Sequence, residues 1–168
     1  MSITMNRNLT VAMTAALMMT GTASQAQDVN IGRSNITLKS DLMTPEALWA
    51  MGRIGAAQAS PDGKKIVYQV GYYSVKENRG HQVLRIMDAD GKNDKLLTTS
   101  AKSESDVAWL DNQTLAFLTD GQLWTMSTDG SNRHQLTHSD IAIEGFRFSP
   151  DKKRVVLVKS IPYHGTIK

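Results

Sequence analysis

Histidine, aspartate, tryptophan and serine supply the side chains whose spacing could carry chemistry here. His134 and His138 lie four residues apart, so on a strand they would share a face and could offer a metal two imidazoles. No carboxylate or third histidine is placed by sequence to complete that set, so no metal is assigned. Asp88, Asp90 and Asp94 alternate around Gly91, faintly like a calcium loop. The twelfth position from Asp88 is Thr99, where such a loop needs a glutamate, and the segment reads instead as a hairpin turn. Trp109 and Trp124 could line a ligand groove, but at strand positions they read as packing between sheets. Ser60 and Ser149 each precede a proline and have no paired base, which makes them turn formers rather than nucleophiles. The sequence has no cysteine and no Gly-x-Ser-x-Gly, so thiol chemistry and a nucleophile elbow are both missing from these residues. No catalytic, cofactor-binding or metal-ligating residue is therefore assigned, and no cofactor is expected.

The elements that would position such residues begin with a leader. Residues 1–8 are polar with one cation, Arg7, and residues 9–19 are mostly apolar. Ser24-Gln25-Ala26 places small residues where a signal peptidase reads them, so residues 1–26 read as a secretory signal cleaved after Ala26. The apolar run is shorter than the ~20 residues a spanning helix needs. The mature chain is expected to be periplasmic or secreted, with no membrane attachment after cleavage. Residues 27–43 read as a linker, and residues 44–55 hold one short helix. Thr44 is its cap, Pro45 suits the first helical position and Glu46 the positive end of the dipole. The helix is predicted over residues 45–53, with Leu48, Met51 and Ile54 facing the first sheet.

From Ala59 onward the sequence repeats itself. Ala59-Ser60-Pro61-Asp62-Gly63-Lys64-Lys65-Ile66-Val67 is echoed by the segment from Ala108 to Ala116 and again by that from Phe148 to Val156. Leu84 to Lys92 matches Leu123 to Ser131, and Leu97-Thr98 matches Leu136-Thr137. The first unit is longer, and the surplus falls near residues 74–81, where Lys76-Glu77-Asn78-Arg79-Gly80 predicts an inserted hairpin loop. Asp90-Gly91 and Asp129-Gly130 predict tight hairpin turns. Ile66-Val67-Tyr68 and Val155-Val156-Leu157-Val158 read as strands covered on both faces.

Four short strands every ~40 residues mark the blades of a β-propeller. The fold class is thus all-β: a partial propeller over residues 56–168, with blades at about 58–99, 107–138 and 146–168, the last incomplete. Two and a half blades fall short of the roughly 4–8 of a closed ring. A fragment is therefore expected, with the strand at residues 155–160 left open to aggregation. Charge adds little, at a net +3. The densest basic run, Lys152-Lys153-Arg154, reads as a solvated turn, and no nucleic-acid partner is expected.

These residues resemble a known family. Met43-Thr44-Pro45-Glu46-Ala47-Leu48-Trp49, then Ser60-Pro61-Asp62-Gly63-Lys64, then the run from Glu144 to Asp151 are similar to the N-terminal region of secreted bacterial dipeptidyl-peptidases of the prolyl oligopeptidase family, dipeptidyl-peptidase five type. That resemblance implies an N-terminal propeller that limits substrate size. It also implies a C-terminal α/β-hydrolase domain whose serine, aspartate and histidine cleave short peptides. No residue of this sequence takes a triad role, so a peptide substrate would be met only through that further domain. The alternative reading is a TolB-like periplasmic propeller that binds without catalysis.

Overall fold

The computed structural model describes residues 31–37 and 41–161. The secretory signal and its cleavage point lie outside the described residues. One helix, α1 (Pro45–Ala50), precedes ten strands: β1 (Arg53–Ala59), β2 (Lys65–Ser74), β3 (Arg79–Asp88), β4 (Lys95–Leu96), β5 (Glu104–Trp109), β6 (Thr114–Thr119), β7 (Gln122–Ser127), β8 (His134–Gln135), β9 (Ile143–Phe148) and β10 (Val155–Lys159). They form two four-stranded sheets, β1-β2-β3-β4 and β5-β6-β7-β8, and a two-stranded pair, β9-β10. Every pairing is antiparallel. This is the blade pattern of a β-propeller.

The repeat is visible in hydrogen bonds as well as letters. The Asp88–Gly91 turn closes through Gly91 N–H to Asp88 O, and its counterpart through Gly130 N–H to Ser127 O, both at 2.9 Å. Gly91 and Gly130 hold φ of 83° and 90°, which an L side chain resists. Two residues further on, Asn93 and Asn132 take φ of 54° and 52°, and each amide reaches back to the end of the third strand, at Asp88 and Ser127. The shared asparagine extends the repeat beyond Lys92 and Ser131.

One equivalence shifts. Ala59 pairs with Ile66, Trp109 with Leu115 and Phe148 with Val155. Ile66, Leu115 and Val155 are thus equivalent, but Ala59 corresponds to Trp109 rather than Ala108. The Leu110–Gln113 turn is one residue shorter than the Ser60–Lys64 turn, because without the proline–glycine pair Leu110 N–H bonds directly to Thr114 O at 2.9 Å. The ten surplus residues of the first unit also behave differently from a loop. The β2–β3 hairpin spans 24 residues, Lys65 to Asp88, against 14 for β6–β7, Thr114 to Ser127. The surplus lengthens both strands and leaves only residues 75–78 as the turn, because alternating Tyr72, Tyr73 and His81 can continue the ladder.

Burial is set by neighbours. Leu115, Ala116, Phe117 and Leu118 are all buried. Leu115 and Phe117 join Val67, Leu84, Ile86, Leu97, Val107, Trp109 and Met126 between the first two sheets. Ala116 and Leu118 turn the other way, to Leu123, Ile143 and Phe146. The middle sheet is therefore covered on both faces, as a continuous apolar strand requires. The expectation of two covered faces does not hold for β10: Leu157 packs inward, but Val156 and Val158 are 68% and 54% exposed. Among the described residues no sheet lies on that side of it.

The helix is shorter than expected. Thr44 caps it by accepting from Ala47 N–H at 3.2 Å, but it stops at Ala50, and Arg53 already belongs to β1. Ladder pairing of Arg53 with Gly71 and Ile54 with Val70 outcompetes another helical turn, which Gly52 would weaken in any case. The buried residue of α1 is Ala47, whereas Leu48, Met51 and Ile54 are exposed, contrary to the expected apolar stripe. Close approach to β2 leaves room for a methyl group but not for a leucine: Gly52 itself lies so near Tyr72 and Val70 that a Cβ would sit 2.8 Å from the tyrosine ring.

Candidate functional site

The Ser-Pro-Asp turns locate the two serines weighed as nucleophiles. Ser60 Oγ donates to Asp62 Oδ1 at 2.6 Å while accepting from Lys65 N–H at 3.0 Å. Ser149 does the same with Asp151 at 2.6 Å and Arg154 N–H at 3.0 Å. Each hydroxyl is spent on closing its turn, and no imidazole takes part. Lys152 occupies the glycine position of the third turn at φ 59°, so the basic run is a solvent-facing corner. The serine hydroxyl, then backbone N–H donors, hold the Asp62 and Asp151 carboxyls below the usual carboxylate range. A depressed folded-state value means stabilisation that is present above the unfolded value and lost as pH falls through the folded one. The Ser60→Ala/Ser149→Ala double variant should therefore be less stable than wild type at about pH 7, with the gap in urea midpoint closing toward about pH 2.

The aspartates of the calcium-like segment do not converge. Asp88 accepts from Lys65 at 3.0 Å and Asn93 at 2.6 Å, and Asp90 from Lys92 at 2.8 Å. Asp94 takes the Arg85 guanidinium on both oxygens, at 3.1 and 2.6 Å. Arg85 holds the Asp94 carboxyl below its ordinary value, and Asp94 raises Arg85 in turn. His134 and His138 are both exposed. Among the described residues no three histidines or carboxylates gather as they would around an ion.

The two tryptophans sit at the seam between the first two sheets. Trp109 is buried, and its Nε1–H donates to Gln58 O at 3.1 Å, while Gln58 Nε2 donates back across the seam to Val107 O at 2.8 Å. Trp124 is half-buried against the same core. Its counterpart in the first sheet is Arg85, and Asp94 corresponds to Arg133. The ion pair of the first blade thus becomes, in the second, a guanidinium 5.7 Å from the Trp124 ring and 4.9 Å from that of Phe117.

Arg133 also reaches Glu104, which sequence reasoning missed. Glu104 is 1% exposed, accepts from Arg133 Nη1 at 2.6 Å and receives the Thr98 hydroxyl on its other oxygen. The three come from the chain after β4, the start of β5 and the chain before β8, so they tie the blades together. The visible signal was the arginine where the first repeat has an aspartate. On the opposite side of the first sheet, Ile36, Pro45, Trp49, Tyr73 and Val75 line an open groove of about 720 Å3, floored by the Trp49–Tyr73 ring pair at 4.8 Å. Among the described residues the arrangement offers buried polar ties at the seam and an aromatic groove beside α1.

No known protein-family profile matches the chain. It is 34% identical over 130 residues to dipeptidyl-peptidase 5 of Porphyromonas endodontalis, an alignment covering 74% of this chain and 19% of that protein. It is 32% identical over 164 residues to dipeptidyl-peptidase 5 of Porphyromonas gingivalis, covering 95% of this chain and 23% of that protein. The chain thus spans about a fifth of the length of the curated relatives it matches. Among solved structures, an acylaminoacyl peptidase of Pyrococcus horikoshii superposes with a TM-score of 0.52 at 12% identity, over 66% of this chain and 17% of that one. An oligogalacturonate lyase in complex with manganese gives 0.52 at 16% identity, over 66% and 35% of the two chains. The AtxE2 isopeptidase gives 0.51 at 16% identity, over 65% and 22%. At such identities these three share the fold.

Proposed function

Because the chain is homologous to the dipeptidyl-peptidase 5 proteins, we propose that it forms propeller blades of an exported serine peptidase of that type, whose ring of blades admits short peptides to an α/β-hydrolase domain. The observation that carries this reading is the match to two such peptidases along 74% and 95% of the chain. The blade pattern supports it physically. Sheets stacked side by side, each needing its neighbour to stay dry, form a wall around an opening too narrow for folded protein. Bond cleavage would proceed through an acyl-enzyme on a serine supplied by the hydrolase domain, since no described residue pairs a nucleophile with a base. The leader pattern in residues 1–26 supports delivery to the periplasm or beyond.

The test compares two polypeptides: the 168-residue chain, and a chimera that carries these residues in place of the matching region of the Porphyromonas endodontalis peptidase. The chain alone should release nothing from chromogenic dipeptidyl substrates. The chimera should turn them over and should prefer short peptides to long unfolded ones. Turnover by the chain alone would overthrow the assignment, and a chimera indifferent to peptide length would remove the gate.

A further inference from the structure

The proposed function leaves one buried titratable group, His81, without a role. His81 is 4% exposed and lies on the face of the first sheet turned away from the second, paired with Tyr72. Its Nδ1 is 2.7 Å from Ile31 O and its Nε2 is 3.0 Å from Ser100 O. Both partners are backbone carbonyls, which accept hydrogen bonds and cannot donate them. A neutral imidazole has one N–H, so it can satisfy one of these contacts and must set a lone pair against the other. In a site this dry, that opposition is costly. Only the imidazolium donates to both. We propose that His81 is a proton-dependent clasp: charged, it ties the segment at Ile31 and the inter-blade stretch at Ser100 to the first sheet, and losing its proton frees one arm.

The tie joins segments far apart in sequence. Ile31 is itself 5% exposed, and Ser100 lies in the stretch leading from the first blade to the second. The ionisable groups lining the cavities beside the ring are Arg33 on the N-terminal segment, Arg53 on β1, Tyr72 and Tyr73 on β2, and Arg85 on β3. Arg85 is already paired with Asp94, and Arg53 lies over the Trp49 ring at 5.0 Å. No carboxylate lines those cavities, so the two carbonyl oxygens are the acceptors that face the ring nitrogens. The device works across the range in which an imidazole ordinarily changes charge, from about pH 5 to about pH 8. It does not depend on the peptidase reading, and its test uses no substrate.

The experiment is ring-nitrogen NMR on the 15N-labelled 168-residue chain, read together with amide hydrogen exchange corrected for intrinsic rate. At about pH 5.5 both His81 nitrogens should carry protons; at about pH 8 one should be lost, and protection of the Gln82 and Lys102 amides, which donate to Ser103 Oγ and Ser100 Oγ, should fall about tenfold. His134 and His138 are both exposed, and their ring nitrogens are followed in the same spectra for comparison. His81→Phe should abolish the pH response while the sheets persist. If that variant does not fold, the wild-type spectra still decide. A neutral ring at about pH 5.5, or protection that does not change when the proton leaves, overturns the clasp.

Discussion

Arg133→Met should destabilise the protein by about 3–5 kcal/mol, the cost of leaving a buried carboxylate without its cation. Glu104 has a side-chain exposure of 1%, against 28% for Arg133. With the guanidinium gone, the carboxylate keeps one neutral donor, the Thr98 hydroxyl. The guanidinium also lies over the Phe117 and Trp124 rings, so the loss includes those cation–π contacts, while methionine retains an apolar side chain of comparable length. The companion variant, Glu104→Leu with Arg133→Met, removes both charges and should cost far less, on the order of 1 kcal/mol, because an apolar pair can replace a buried ion pair without great penalty. Urea unfolding of wild type, both single variants and the double closes the cycle. If Arg133→Met alone costs under about 1 kcal/mol, the Arg133–Glu104 pair within the second blade contributes no more than a surface ion pair.

That tie shows where sequence reading succeeds and where it stops. The blades were legible because the signals are local: Asp-Gly turns fix the hairpins, and Ile66, Leu115 and Val155 occupy the same register in three sheets. The resemblance to dipeptidyl-peptidases of the five type rested on the same short runs, and relatives of that name match the chain. Burial was harder to read, because it depends on what lies across a face. Leu115 is fully buried and Val155 is 38% exposed at equivalent positions, and nothing within either run distinguishes them. The α1 stripe failed for a related reason. Helical periodicity identifies an apolar side, but steric closeness to β2 decided that Ala47, not Leu48, faces the sheet. Contacts across the seam were invisible. Thr98, Glu104 and Arg133 meet through two different loops, and no spacing in the chain encodes their convergence. The exchange of Asp94 for Arg133 between repeats was the available hint. A position that keeps its geometry but reverses its charge must find a new partner, and here that partner comes from the start of the first strand of the same blade.

The seam can be tested without charge by comparing two glycines that the repeat makes equivalent. Gly91→Ala and Gly130→Ala should both pay roughly 1 kcal/mol for holding an L residue in the left-handed region, since their φ angles are 83° and 90°. Around Gly91 nothing lies within 4 Å of where a Cβ would stand. At Gly130 the added carbon would fall inside the van der Waals surface of Leu97 O and 3.3 Å from its carbonyl carbon. That oxygen cannot easily yield. Leu97 is buried in the core between the first two sheets, and its N–H is fixed to Leu84 O at 2.9 Å. Gly130→Ala must therefore push the sheets apart, adding about 2–3 kcal/mol of overpacking to the shared strain, for a total of about 3–4 kcal/mol. The difference between the two variants cancels the turn's own strain and leaves the price of close approach between blades. Chemical denaturation of both gives that difference, and emission from Trp109 and Trp124, which sit at the seam, should shift to the red in the Gly130 variant alone. Equal losses at the two glycines would mean that the sheets can slide past the added methyl, and that the packing across this seam is looser than its buried side chains imply.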